Sequence, residues 1–256
     1  MMQRAQTRRE HALPVQLLDL VLIQLSNWRW SWRRMVITGM IAPLCSLLAL
    51  GLFARDAGPE ALVYVLTGNV VLALMFENLG KVSSNFAFMK AMGTLNYFAT
   101  LPIRRYLLVL ATLIAFFLMS LPALLLTVTA GWRLLGISLA LHGLLLLVVP
   151  LTALPLAALG ALLGLHARTP EEAGSTTTLL IFVLTALGPV VIPPERLPGW
   201  LVSLGWLSPA TYAASALRQT LVGPVTARLG VDLVVLSVLT GVFGWLASRH
   251  MARRLA

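Results

Sequence analysis

Long uncharged runs separated by short polar connections account for most of this chain. A helix needs roughly 17–25 residues to cross a hydrocarbon core of about 30 Å. Six runs approach or exceed that length: residues 35–54, 61–76, 106–132, 134–167, 173–194 and 230–248, of which the last contains one charged residue, Asp232. The second run crosses only if its helix continues past Glu77, and Pro150 and Pro155 are expected to interrupt the fourth. The pattern predicts an all-α integral membrane protein with six transmembrane helices in one domain, residues 35–256.

A further uncharged run, residues 197–217, is broken by Pro198, Gly199, Gly205 and Pro209. Broken apolar segments are tolerated at membrane depth only where protein covers them or where they line a cavity. We therefore interpret this run as a re-entrant hairpin on the outer side, between spans five and six, and not as a seventh span. Its aromatic rings and a flanking arginine favour the headgroup level. The residues expected to define the hairpin are Pro198, Trp200, Pro209, Tyr212 and Arg218.

The distribution of basic residues favours six spans with both termini in the cytoplasm. Cytoplasmic segments of membrane proteins carry an excess of Lys and Arg. A six-span arrangement places 14 of the 19 basic residues inside, whereas a seven-span arrangement places 13 inside and exports the basic C-terminus. The difference of one residue does not by itself decide between the two arrangements.

A helix lying along the membrane surface is predicted before the first span, in a cytoplasmic N-terminal segment of residues 1–34. Over residues 13–35, apolar side chains recur on one face at helical spacing. They are Leu18, Val21, Leu22, Leu25, Trp28 and Trp32. Trp28, Trp30 and Trp32 lie among arginines, a combination that favours the headgroup level.

Composition supports a membrane protein and argues against nucleic-acid binding. The chain is 59% hydrophobic and 11% charged, with a mean hydropathy of +0.88, whereas soluble domains carry about 25% charged residues. A net charge of +10 fits short basic segments facing anionic headgroups, and no nucleic-acid recognition motif is present. Cys45, the only cysteine, excludes an intramolecular disulfide and is interpreted as a small core residue.

The sequence carries no motif for nucleotide binding, hydrolysis or metal binding. A phosphate-binding loop needs G-x-x-x-x-G-K-[ST], and Gly80-Lys81-Val82 lacks both the first glycine and the hydroxyl. H-E-x-x-H and G-x-S-x-G are also missing. His142 is expected within the fourth span, as a helix-packing or water-bonded residue or, alternatively, as a substrate contact. We therefore predict no catalytic residue and no metal or cofactor held by this chain.

Polar residues inside the predicted spans are candidate functional positions. Glu77 and Lys81 lie four residues apart on one helical face, and a charge at membrane depth is costly without a partner. We expect a salt bridge between them near the inner interface, with a role in gating or coupling as the alternative. Other polar side chains in spans either bond a helix or line a pathway. The candidates for pathway lining are Thr67, Asn69, Thr177 and Thr178.

Two connecting regions carry short motifs rich in proline, glycine and aromatic residues. Between spans two and three these are Gly93-Thr94-Leu95 and Leu101-Pro102-Ile103. After span five they are Pro194-Glu195-Arg196-Leu197-Pro198-Gly199-Trp200-Leu201, Ser208-Pro209-Ala210-Thr211-Tyr212 and Leu217-Arg218. Together they resemble the type-2 ATP-binding cassette (ABC) exporter permeases, with Ser208 where that family usually has Asn. The resemblance covers nearly the whole chain.

The resemblance implies a bacterial plasma (inner) membrane protein that pairs with a second copy or a homologue. It also implies separate ATPase subunits, which bind ATP and Mg²⁺. A cytoplasmic coupling helix, here about residues 88–101, would dock on the ATPase through Lys90, Gly93, Thr94, Leu95, Tyr97 and Pro102. The acidic residue often found near the coupling glycine is missing, which argues against a salt bridge as the coupling contact.

Within this family the chain most resembles daunorubicin-type or multidrug export permeases, which implies export of a hydrophobic small molecule such as a drug or antibiotic. A lipid-linked or polysaccharide substrate is the alternative, although spans one and five offer only Phe53 and Phe182 as a track for sugar rings. A non-transporting membrane scaffold or sensor subunit is a hypothesis of a different class. The missing motifs disfavour an intramembrane enzyme.

Overall fold

The computed structural model describes residues 13–27, 32–100 and 104–254, and within them the regular secondary structure is helical. The α-helices of these residues are α1 Leu13–Asn27, α2 Trp32–Ala54, α3 Pro59–Leu74, α4 Lys81–Ala91, α5 Thr94–Thr100, α6 Arg105–Leu135, α7 Leu145–His166, α8 Pro170–Ala186, α9 Gly199–Gly205, α10 Pro209–Leu221 and α11 Arg228–Arg254. A π-helical turn, Met75–Gly80, joins α3 to α4, and 3₁₀ turns lie at Arg55–Ala57 and Pro194–Arg196.

Among the described residues, five helices are long and apolar enough to cross a membrane, in agreement with an all-α membrane protein. They are Gly39–Ala57, Pro59–Ala91, Tyr106–Leu135, Leu145–His166 and Arg228–Arg253. The run predicted as the fifth span forms α8, which has 17 residues and ends at Ala186 instead of Pro194. It stops there because Gly188 takes a φ of 91° and Pro189 follows, neither of which continues a helix.

The second run forms one continuous helix, Pro59–Ala91, made of α3, the π-helical turn and α4. The helix therefore continues past Glu77, which was the condition for the second run to cross a membrane. The predicted boundaries of the helix at residues 88–101 are wrong, because residues 88–91 are the last turn of α4 and α5 begins only at Thr94. Gly93 lies between them with a φ of 71°, a left-handed conformation that costs glycine little.

The fourth run also differs from its prediction. After α6, Gly136 turns the chain and residues 137–142 have no regular secondary structure, with the amides of Ala140 and His142 donating to the carbonyls of Leu221 and Thr220 at 2.8 and 3.0 Å. His142 is therefore exposed and lies outside the spans, so its predicted place within the fourth span is wrong. Pro150 and Pro155 lie inside the continuous helix α7 and do not interrupt it, as packed membrane helices allow.

Helix α7 is the centre of the packing and contacts α4, α10 and α11. A β-carbon at Gly160 would meet the backbone of Leu79, and one at Gly164 would meet the backbone of Ser83. Small residues let two helix backbones approach closely in a membrane. The two glycines therefore hold α7 directly against the second span, at and just after its π-helical turn.

Helices α2 and α11 lie at the outside of the molecule. Their spans are 28% and 17% buried, against 78% for Pro59–Ala91. Large apolar side chains point outward from both helices, which suits lipid or another protein as the neighbour. They include Ile37, Ile41, Leu48 and Leu52 on α2 and Val231, Val234, Val238 and Val242 on α11. Cys45 is exposed on α2, so its interpretation as a core residue is wrong.

The N-terminal helix α1 packs against α6 through Leu20 and Gln24, whose Nε2 donates to Thr112 Oγ1 at 3.0 Å. Leu18 and Leu22 point outward, as a helix lying along the membrane surface would place them. Of the predicted helix over residues 13–35, Leu13–Asn27 form α1 and Trp32 belongs to α2. Trp28 and Trp30 lie outside the described residues.

Candidate functional site

A cavity of about 880 Å³ opens beside the C-terminal half of the second span. Residues of α1, α2, the π-helical turn, α4, α5 and α8 form its wall. Its large apolar side chains are Phe76, Phe88, Met89, Phe98 and Ile181, and its polar ones are Gln24, Lys81, Ser84, Asn85, Thr94 and Thr178. This volume and mixed lining are typical of a site for an apolar organic molecule with a few polar groups.

The charged point of this cavity is the ion pair of Glu77 and Lys81. Lys81 Nζ lies 2.5 Å from Glu77 Oε1, while the Glu77 side chain is buried and Lys81 is part of the cavity wall. The π-helical turn between α3 and α4 carries Glu77, and such turns are frequent at functional sites. Gly39 of α2 faces the same carboxylate, since a β-carbon there would overlap Glu77 Oε1.

The four residues considered for a pathway do not lie together. Thr67 and Asn69 are buried inside the single chain and donate to the carbonyls of Val63 and Val65, one turn earlier. Thr177 is buried as well and donates to Ser83 Oγ at 2.9 Å, which joins α8 to α4. These contacts favour the packing interpretation for all three residues. Thr178 is exposed and lines the cavity.

The segment around Gly93 presents an apolar surface. Phe88, Met92 and Tyr97 are 54%, 64% and 63% exposed. Leu95 is buried beneath this surface, and Thr94 faces the cavity. The segment therefore joins an exposed face to the cavity wall.

Lys90 has a different place from the one predicted for it. Its Nζ donates to the carbonyls of Leu165 and Ala167, at the C-terminal end of α7. A cation at that position neutralises the carbonyls that a helix end leaves without intrahelical partners. Pro102 lies outside the described residues.

The run at residues 197–217 forms two helices joined by a break at residues 206–208. Pro198 precedes α9, Trp200 is exposed on it, and Pro209 is the first residue of α10, where a proline fits a helix. Tyr212 is buried and donates its hydroxyl to Trp206 O at 2.8 Å. Helix α10 is covered by protein along most of its length.

Arg218, at the far end of α10, faces a smaller cavity of about 240 Å³. Its Cζ lies 3.4 Å from the centroid of the Tyr64 ring. Burial lowers the pKa of Arg218 to about 10, so the guanidinium remains charged at neutral pH.

Sequence reasoning missed several of the residues that form these sites. Gly39 and Gln24 lie on helices other than that of Glu77, and Tyr64 is distant in sequence from Arg218. No local motif marks such pairs, because each depends on how two helices pack. In the described part of the chain, no group of three or more His, Cys, Asp or Glu residues is placed to hold a metal ion.

The family model described as ABC-2 type transporter matches residues 16–222. The daunorubicin resistance ABC transporter permease protein DrrB1 of Streptomyces coeruleorubidus is 27% identical over 242 residues, which cover 92% of this chain and 79% of that protein. The match to the family model contains every residue of the large cavity as well as the Gly93 segment.

Proposed function

Because the chain belongs to the ABC-2 type transporter family, as the membrane subunit of an ABC exporter, we propose that it forms a dimer that exports a hydrophobic small molecule. Separate ATPase subunits, carrying ATP and Mg²⁺, drive the transport. The relative's printed name concerns daunorubicin resistance, which supports a drug-like or antibiotic-like substrate. Membership of a transporter family supports transport over a scaffold or sensor role.

The large cavity is the observation that carries the substrate class. Three phenylalanines, a methionine and an isoleucine provide apolar contact, and amides, hydroxyls and Lys81 provide a few polar contacts. A sugar chain would need many polar partners, so this lining favours a hydrophobic molecule over a polysaccharide. Its place beside α5 puts the substrate next to the segment that would receive the force of ATP hydrolysis.

The exposed apolar face of Phe88, Met92 and Tyr97 is the proposed docking surface for the ATPase. Aromatic and Met side chains are enriched in protein interfaces. Motion of the ATPase would reach the cavity through Phe88, Thr94 and Phe98. Phe88 belongs both to the docking surface and to the cavity wall, and Thr94 and Phe98 line the cavity from α5. Lys90 binds α7 in this arrangement and so positions the docking segment against the bundle.

The proposed topology has six spans, with α8 as the fifth, and both termini in the cytoplasm of a bacterial inner membrane. Helices α9 and α10 have 7 and 13 residues, fewer than the roughly 17 needed to cross a bilayer. They would enter the outer leaflet and return. Arg249 and Arg253 of α11 then remain on the cytoplasmic side.

A second copy is proposed to cover the outward face of α8. Ser175, Thr176 and Thr178 are exposed there beside Leu179 and Phe182. Hydroxyls on membrane helices commonly face another helix and bond across to it. Two α8 helices meeting in this way would enclose a pathway between the subunits.

The test is a reconstitution of the chain in liposomes with and without its ATPase. We expect ATP hydrolysis and substrate export only from the complex, with hydrolysis stimulated by hydrophobic, drug-like compounds and not by oligosaccharides. ATP turnover by the isolated chain would contradict the proposed division of labour. Stimulation of ATP hydrolysis by oligosaccharides alone would contradict the proposed substrate class and favour a polysaccharide substrate.

A further inference from the structure

The end of α10 carries a charged side chain with few partners. Arg218 is largely enclosed, and an arginine has five N–H donors. Its Nη2 makes one long bond to Pro189 O, at 3.4 Å, and its Nε is buried without a hydrogen-bond partner among the described residues. The Tyr64 ring covers one face of the guanidinium, and Arg218 is one of the residues that line the cavity. A buried charge whose donors are unsatisfied is costly.

A second arginine faces the same cavity. Arg228 is exposed at its opening, with Cζ 5.1 Å from the centroid of the Trp206 ring. Thr211 is also part of the wall, but its hydroxyl is buried beside Gly188 and Gly205. Within the described residues, no carboxylate lies within ion-pair distance of either guanidinium. Two cations therefore line the cavity, and no carboxylate is among its lining residues.

Asp232 lies close by but does not neutralise both arginines. It is buried, and its Oδ2 accepts from Ser215 Oγ at 2.6 Å and from Gln219 Nε2 at 3.2 Å. These two donors hold the carboxylate against α10. Glu60 and Glu195 also lie near the cavity, but the residues that line it carry two guanidinium groups and no carboxylate.

From this arrangement we infer that the cavity binds a phosphate oxyanion. Guanidinium groups match the planar edges of a phosphate and donate two parallel hydrogen bonds. A phosphate also has enough acceptor oxygens to engage Arg218 and Arg228 at once. About 240 Å³ admits a phosphate group but is far smaller than the cavity beside the second span. The phosphate can belong to a phospholipid headgroup or be a soluble ion, and the exposed Trp206 ring at the rim suits the headgroup level.

The experiment uses the full chain purified in a neutral detergent. Its melting temperature is measured against increasing short-chain phosphatidylglycerol, and separately against inorganic phosphate at constant ionic strength, and each series yields an apparent Kd. We expect one of these probes to stabilise the protein. Arg218→Gln and Arg228→Gln should each weaken that binding by roughly tenfold to a hundredfold, as expected for loss of charge-assisted hydrogen bonds.

Arg133→Gln is the matched control, since Arg133 is an exposed arginine beside a tryptophan, with Cζ 5.8 Å from the centroid of the Trp132 ring. It should bind the probe like the wild type. If Arg218→Gln fails to fold, Arg228→Gln decides the question, because its side chain is exposed. Stabilisation by the lipid alone assigns the site to a headgroup, and stabilisation by inorganic phosphate assigns it to a soluble ion. No stabilisation by either probe, or an equal loss of binding in Arg133→Gln, would overturn the inference.

Discussion

Gly39 of α2 lies directly against Glu77 of the second span, so close that a β-carbon at position 39 would overlap the carboxylate oxygen Oε1. The missing side chain leaves the space in which Glu77 meets Lys81. Two helices are thereby joined at the wall of the large cavity around one ion pair. This contact makes the first two spans sensitive to small changes at either residue.

Gly39→Ala should displace the Glu77 carboxylate, because a methyl group cannot share its position. We expect a lower melting temperature of the purified protein and reduced substrate binding, since the wall of the cavity moves. Gly241→Ala is the control, as no described atom lies within 4 Å of a β-carbon built there. Equal melting temperatures for the two variants would show that the contact at Gly39 is not tight.

Lys81→Met removes the cation and leaves the buried Glu77 without its ion-pair partner. Breaking a buried pair in this way costs up to about 3–5 kcal/mol. We expect a large fall in the melting temperature, and recovery in the double variant Glu77→Gln/Lys81→Met, which leaves no unpaired charge. A double variant no more stable than Lys81→Met would contradict the pairing as the source of the loss.

Gly93→Val should uncouple ATP hydrolysis from transport. A β-branched residue at a φ of 71° costs about 1–2 kcal/mol in the left-handed region, so the turn before α5 should change shape. Gly136→Val is matched to it, because Gly136 has a φ of 67° and is equally open but follows α6 at the end away from the Gly93 segment. The measurement compares substrate-stimulated hydrolysis with export by the reconstituted complex. Unimpaired export by the Gly93 variant would remove this segment from the coupling route.

Thr178→Leu should change which compounds stimulate the ATPase. The side chain faces the large cavity, and losing one hydrogen bond to substrate alters affinity by roughly two- to tenfold. Asn69→Leu should leave the substrate profile unchanged, because Asn69 is buried and away from the cavity wall. Its Oδ1 is buried without a partner among the described residues, so Asn69→Leu should cost little stability. A changed profile in Asn69→Leu would restore that residue as a pathway candidate.

The outer hairpin can be tested by labelling intact cells with a membrane-impermeant thiol reagent. With Cys45 replaced by Ala, single cysteines are placed at Arg196, Arg228 and Arg253, all of which are exposed. We expect labelling at positions 196 and 228 but not at 253, because α9 and α10 are too short to cross separately. Position 218 is unsuitable, since burial shields it on either side. Labelling at 253 with protection at 228 would show an additional crossing.

Three features were determined by the sequence alone. The chain lies in a membrane, most of its long helices have the positions that the apolar runs predict, and Glu77 pairs with Lys81. These features depend on composition, on uncharged run length and on the spacing of two residues on one helix, all of which are local. The motifs around Gly93 and Pro209 also carried the family resemblance, which the match over residues 16–222 supports. The predicted helix bounds were wrong at Ala186, where α8 ends, and near His142. At both places the chain leaves the helical conformation while the sequence remains apolar, so hydropathy gives no sign of the helix end.

Only the tertiary structure decided which helix faces meet. In lipid, an apolar face has the same composition whether it contacts a neighbouring helix or the membrane, so hydropathy cannot say that Thr67 and Asn69 are buried while Cys45 is exposed. The contacts of Gly39 with Glu77 and of Tyr64 with Arg218 join residues far apart in the chain. They exist because helix packing places a glycine, which has no side chain, opposite a carboxylate, and an aromatic ring opposite a guanidinium.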